Sequence, residues 1–303
     1  MRHIDTAYRT ALPVRENPPF RLDAGQGVLL LGSCFTDNIG ERLSRGGVAA
    51  CVNPGGVQYN PVSIAMLLRA SMRGALPPHG IFTHEGRTRC WLLPTRFSSA
   101  DNSLASGLFA DALATLREAL LTVPALIVTF GTAWVYEHRP TATSPYCGVV
   151  GNCHKVCAAE FSRRRLGMEE IVADWESLVD EMRRFRAAQG VSDPLRLIFT
   201  VSPIRHFKDG AHENTLSKGT LHLAVASLVE NVADSDYFPA YELLCDDLRD
   251  YRFYAEDMVH PSSVAVDYIW KHFQAVYYTE ADRALMSARA RALRAAGHRP
   301  LLR

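Results

Sequence analysis

The chain has almost no net charge: 33 Lys and Arg stand against 32 Asp and Glu, a formal +1 over 303 residues. A balance this close sets up no extended field of either sign. It argues against a nucleic-acid binder and against a protein drawn to an anionic membrane by charge. Long apolar runs are missing as well. No stretch approaches the length of a membrane span, and the opening segment MRHIDTAYRTALPVRENPPF lacks the continuous apolar region of a secretion signal. Cysteine is sparse and odd in number, seven residues scattered without a paired C-x-x-C arrangement. That count argues against a disulfide framework and predicts reduced thiols in the cytoplasm. Apolar residues are plentiful, at 48%, enough to bury a full core.

Those apolar residues fall into an alternation of strands and helices. Residues 28–31, 49–52, 125–130, 195–201 and 237–243 read as short strands. Helical spacing covers 35–45, 62–73, 102–121, 169–188, 215–231 and 264–278. Strands apolar on both faces and separated by helices predict a parallel sheet covered on each side. Ligands of such sheets bind outside the carboxyl ends of the strands. Residues 81–97, with Glu85-Gly86-Arg87 between two alternating segments, predict an inserted hairpin. Residues 132–165 read as one long loop of the kind that carries function. The reading is a single domain over 1–280, followed by an arginine-rich helical tail over 281–303, either solvated or a docking surface.

The junction Gly32-Ser33-Cys34-Phe35, closing the run Val28-Leu29-Leu30-Leu31, is the most informative stretch. A strand that stops at glycine and presents a hydroxyl where a helix begins can hold a serine oxygen above the sheet, beside helix N–H groups. Ordinary helix capping gives the same pattern. A second element lies near the other end, Asp257-Met258-Val259-His260-Pro261. This D-x-x-H spacing lets one short loop supply a general base, His260, and the carboxylate that orients it, Asp257. The plainer alternative is a loop ahead of a helix with a surface acid and a half-buried histidine.

The segments LLLGSCFTDNIGERL, VNPGGVQYNP, TFGTAWVYEH, GNCHKVCAAEFSRR, FTVSPIRHFKDG and DYRFYAEDMVHPS, in this order, make the chain similar to the GSCFA family, a group related to the SGNH/GDSL hydrolases. One departure is Thr36, where the family motif ends in alanine. The resemblance implies a three-layer α/β/α sandwich with a central, mainly parallel five-stranded sheet of the SGNH-hydrolase or flavodoxin-like kind. It also implies a serine nucleophile with an Asp-x-x-His pair, matched here by Ser33, Asp257 and His260. SGNH hydrolases build their oxyanion hole from the nucleophile's own N–H, a glycine after the second strand and an asparagine after the third. Ser33 and Gly56 match the first two. Ala133, in Gly131-Thr132-Ala133-Trp134, stands where the amide belongs. Losing one such donor costs about 2.7–4 kcal/mol of transition-state stabilisation. Asn152 is the candidate substitute, as either a donor or a turn residue. Thr132 is a further option, and His154 is a polar loop contact or a substrate-binding group.

Other constellations carry less. Cys147, Cys153, His154 and Cys157 have the composition but not the paired spacing of a zinc site. Cys34 could itself be a nucleophile, although a small apolar packing role fits it better. Arg205 and His206 could hold an anionic or hydroxylated substrate, or face solvent. Asn53, Tyr59 and Asn60 flank Gly56 and could shape the pocket. The expectation is a cytoplasmic serine hydrolase of an ester or acyl group on a small molecule or saccharide, without metal or organic cofactor. The alternatives are an acyltransferase to a saccharide hydroxyl and a ligand-binding protein on a weakened hydrolase scaffold. Oligomeric state is left open.

Overall fold

A computed structural model describes residues 11–141 and 144–297. The first half of the chain runs β1 (Val28–Gly32), α1 (Cys34–Arg45), β2 (Ala50–Val52), α2 (Pro61–Arg73), β3 (Ile81–His84), β4 (Arg87–Cys90), α3 (Asn102–Thr122) and β5 (Ala125–Phe130). It continues through β6 (Trp134–His138), β7 (Gly148–Val150), β8 (Phe161–Arg165), α4 (Met168–Ala188) and β9 (Arg196–Val201). Then come α5 (Ala211–Asn231), β10 (Ser235–Tyr237), the short α6 (Ala240–Glu242), α7 (Ser263–Tyr277) and α8 (Glu280–Gly297).

The main sheet has the order β10-β9-β5-β1-β2, and every neighbouring pair is parallel. Its strands are apolar on both faces because both are covered. Leu29 and Leu31 join one core with side chains of α2, α3, α4 and α5, whereas Val28 and Leu30 join a second core with α1, α7 and Met286 of α8. All three leucines are at most 1% exposed, and burying each contributes roughly 1.5–3 kcal/mol. This is the expected three-layer sandwich, with one correction at its edge. The last strand is Ser235–Tyr237, not 237–243: Pro239 has no N–H for a ladder, and Ala240, Leu243 and Leu244 bury one face of α6 and of the π-helical turn that continues it.

The predicted hairpin is present as β3 and β4, joined by Glu85 and Gly86, both with positive φ, the geometry that matches strand twist in a two-residue turn. The supposed loop over 132–165 is corrected: it folds into a three-stranded antiparallel sheet, order β7-β6-β8. Its signal was masked by charge. Arg164 in β8 pairs with Glu137 of β6 and with Glu170, while Trp91, Tyr146, Val150 and Val156 form a small core of their own. The arginine-rich tail is also docked along α8, where Met286 is 1% exposed and Arg289 donates to the carbonyls of Ala24 and Gly47. Residues 298–303 lie outside the described residues. No helix among the described residues is long and apolar enough to cross a membrane.

Gly32 ends β1 with φ +142°, and a Cβ there would lie 2.2 Å from the Thr129 carbonyl oxygen. Gly32→Ala is therefore expected to lower stability by about 2 kcal/mol or more. Gly107, inside α3 with nothing within 4 Å of a built Cβ, gives the contrast: Gly107→Ala should raise stability by about 0.5–1 kcal/mol. Urea midpoints at unchanged slope measure both.

Candidate active site

The strand order reverses between β1 and β5, because the chain goes from β1 to β2 on one side and returns to β5 on the other. The crevice outside the carboxyl ends at such a point is where this architecture binds ligands. Ser33 follows β1, Gly131 follows β5 and Ser202 follows β9. Together with Tyr59, Ile204, Arg205, His206, Val259 and His260 they line a cavity of about 300 Å³.

Ser33 is the N-cap residue of α1, and its Oγ accepts the Phe35 N–H at 3.4 Å. The hydroxyl proton goes to Ser202 Oγ at 3.1 Å, so Ser33 and His260 share the cavity without a hydrogen bond between them. The residue is 2% exposed. Gly131 packs directly against it, since a Cβ there would meet Ser33 Cβ at 3.3 Å.

His260 comes from the turn before α7. Asp257 Oδ1 accepts the backbone N–H groups of Val259 and His260, both at 2.9 Å, and Oδ2 holds His260 Nδ1 at 2.6 Å. The turn requires Met258 at φ 56°. The two backbone donors, then the imidazole, draw the Asp257 carboxyl down to about 2, so it is ionised at neutral pH. With Nδ1 bound to a carboxylate, Nε2 is the nitrogen left for chemistry.

One face of α5 is tied to the loops that follow β5 and β9. Asn214 Oδ1 accepts the His206 N–H at 2.9 Å, and Ser217 Oγ accepts the Ala133 N–H at 2.8 Å. Lys218 Nζ donates to the carbonyls of Gly131 and Ser202 at 2.7 and 2.6 Å. Lys218 is 2% exposed, with no carboxylate partner among the described residues. Burial draws its ammonium down to about 7. None of these three polar side chains stood out in the sequence. Their i, i+3, i+4 spacing reads as a solvated stripe unless the opposite face is known to be apolar.

Four expected binding residues lie outside the cavity lining. The Gly56 N–H, an expected oxyanion donor, goes to the Asn53 carbonyl at 2.7 Å. Asn152 takes its turn role: Oδ1 accepts the His154 N–H at 2.8 Å, beside the three-stranded sheet. Thr132 Oγ1 bonds Ser217 Oγ at 3.1 Å. His154 is buried, with Nε2 on the Cys90 carbonyl at 2.7 Å and Nδ1 on Thr95 Oγ1 at 3.2 Å. The Ser33 N–H itself reaches the Thr129 carbonyl at 3.3 Å, whereas the Cys34 N–H, first in α1, meets no acceptor among the described residues. Cys34 Sγ lies 3.4 Å from the Tyr59 hydroxyl. No cluster of three or more His, Cys, Asp or Glu side chains suited to a metal occurs among the described residues. Arg205 and His206 do line the cavity.

A five-stranded parallel sheet between two helical layers, with a serine at its switch point, defines a three-layer α/β sandwich. The sequence pattern of the GSCFA family matches residues 27–273, and the chain belongs to that family. No curated protein matches it. Among solved structures, a carbohydrate esterase family 3 protein from Talaromyces cellulolyticus is similar at 10% identity and a TM-score of 0.36, over 87% of this chain and 98% of that one. A likeness at that level carries no argument about activity.

Lys218 gives a signed prediction. Its native value of about 7 lies below the ordinary 10.5 of an unfolded lysine, so between those pH values the unfolded chain binds the extra proton. Unfolding free energy attributable to Lys218 therefore rises with pH across that window and is lowest below it. The stability difference between wild type and Lys218→Met, followed by urea denaturation from pH 7 to 10, should shift in favour of wild type as pH rises. A difference independent of pH contradicts this.

Proposed function

We propose that this protein is a serine hydrolase of esters or acyl groups, with Ser33 as nucleophile, His260 as general base and Asp257 as its orienting carboxylate. The observation that carries the reading is that Ser33 and His260 line one cavity while Asp257 occupies His260 Nδ1. Rotation of the Ser33 hydroxyl from Ser202 to His260 Nε2 starts the reaction. Its oxygen attacks the ester carbonyl, and its proton passes to the imidazole. The carbonyl C–O bond to the leaving alkoxide breaks, and the imidazolium protonates that alkoxide. Water, deprotonated by His260, then splits the acyl-enzyme and returns the serine. For the oxyanion, the Cys34 N–H at the positive end of α1 is the supported donor, since the residue after the nucleophile supplies one in related elbow geometries. Arg205 and His206 face the substrate.

One observation favours a second reading. No side-chain amide lines the cavity, and the expected glycine donor is engaged elsewhere, as suits a ligand-binding protein on this scaffold. Acyl transfer to a saccharide hydroxyl uses the same steps with another acceptor and differs in how far water is kept out. The seven cysteines, all free, suit the reducing cytoplasm that the reading assumes.

Ser33→Ala should abolish turnover of a short-chain 4-nitrophenyl ester with an unchanged circular-dichroism spectrum. His260→Gln should lower kcat by about 10²–10⁴-fold. Full activity in the serine variant overturns the assignment. Product analysis with and without a saccharide acceptor separates hydrolysis from transfer.

A further inference from the structure

The cavity has one permanent cation, Arg205, two imidazoles and no carboxylate in its lining. Asp257, the nearest acid in sequence to that lining, is bound to His260 and to two backbone N–H groups. Arg205 forms no ion pair with any described residue. One of its N–H groups donates to the Tyr254 hydroxyl at 2.8 Å. The guanidinium carbon sits 4.5, 5.6 and 5.8 Å from the ring centres of Tyr254, Tyr251 and Phe207. Guanidinium groups stack on aromatic faces and keep their in-plane donors free. Its hydrogen-bond partners, the hydroxyls of Tyr254 and Tyr251, are both uncharged, so the guanidinium charge is not neutralised by either of them.

Other cations stand close behind. Burial lowers His206 below its usual range, and the charges of Lys218, Arg163 and Lys208 lower it further. Arg163 is matched by Asp209, but among the described residues Lys208 bonds only the Tyr136 hydroxyl and Lys218 only carbonyls. The lining also has an apolar part, Ile204 and Val259. A small space with an apolar part, one unneutralised guanidinium and no acid favours a short chain that ends in a negative charge.

We infer that the cavity selects an anionic ester, one whose acyl part carries a terminal oxyanion, carboxylate or phosphate, held by the guanidinium of Arg205. This rests on the hydrolase reading for its turnover, though not for its binding. Arg205 is then a specificity residue. A mere latch between the loop after β9 and the segment 251–254 would treat charged and neutral substrates alike.

The test compares mono-4-nitrophenyl adipate with 4-nitrophenyl hexanoate, its neutral counterpart of equal chain length, after subtraction of uncatalysed rates. Wild type should show the higher kcat/KM for the adipate ester, and Arg205→Gln should reduce the adipate-to-hexanoate ratio by about 10–100-fold, the range of a charge-assisted bond. Equal rates in wild type, or a ratio unchanged in the variant, overturn the inference. Calorimetric titration with free adipate and with inorganic phosphate needs no turnover. Saturable binding of either, lost in Arg205→Gln, supports the inference even where neither ester is cleaved, and the tighter of the two identifies the oxyanion. Absence of binding by both, in folded wild type, refutes it. Failure of turnover with retained binding instead counts against the hydrolase reading alone.

Discussion

One buried ammonium holds together the two strand ends that make the cavity wall. Lys218 Nζ bridges the carbonyls of Gly131 and Ser202, at the points where β5 and β9 leave the sheet. Without that bridge both carbonyls would be buried acceptors without partners, each costing about 1–3 kcal/mol. The lysine carries its own desolvation cost, visible in the downward displacement of its charge. A fold that needed only cohesion there could use an apolar side chain and a water. The arrangement instead sets the separation of the Gly131 and Ser202 turns, and Ser33 rests between them.

The position of Ser33 follows from two backbone constraints. Gly32 lies so close to Thr129 that no side chain fits, and the Gly32 N–H is held by Asn53 Oδ1 at 2.9 Å. The next residue therefore begins α1, with its hydroxyl at the helix end. Capping and chemistry are compatible uses of that oxygen: the bond to the Phe35 N–H is a long one, and the proton is free to change acceptor. Ser202 is the resting acceptor, and its own Oγ also receives the Ile204 N–H at 3.3 Å. The serine pair thus keeps a buried hydroxyl satisfied while the imidazole stands nearby, half exposed.

Much of this was legible in the residues themselves. β5 coincides with its expected bounds because six buried side chains are fenced by Pro124 and Gly131. The Glu85-Gly86 turn announced its hairpin. Ser33 and the Asp257–His260 loop were brought to one edge by strand polarity, which the alternation of elements implies. The departures share a cause. Tyr237–Leu243 and the segment from Thr132 to Arg165 depart from their local patterns because tertiary neighbours set the structure there: Pro239 ends one strand, and arginine–glutamate pairs hide another sheet. Asn152 and Gly56 carry suitable groups, but hydrogen-bond assignment is a property of the folded backbone. Lys218 was invisible for the opposite reason, since a lysine on a helix is ordinarily solvated.

The central claim is that the Ser33 oxygen becomes nucleophilic through His260. A fluorophosphonate reagent tests it without any knowledge of substrate, read by intact mass and peptide mapping. The account predicts a single adduct on the peptide containing Ser33, formed by wild type and strongly slowed in His260→Gln. Folded wild type that stays unlabelled, or labels at another residue, or labels equally fast without the imidazole, would contradict it.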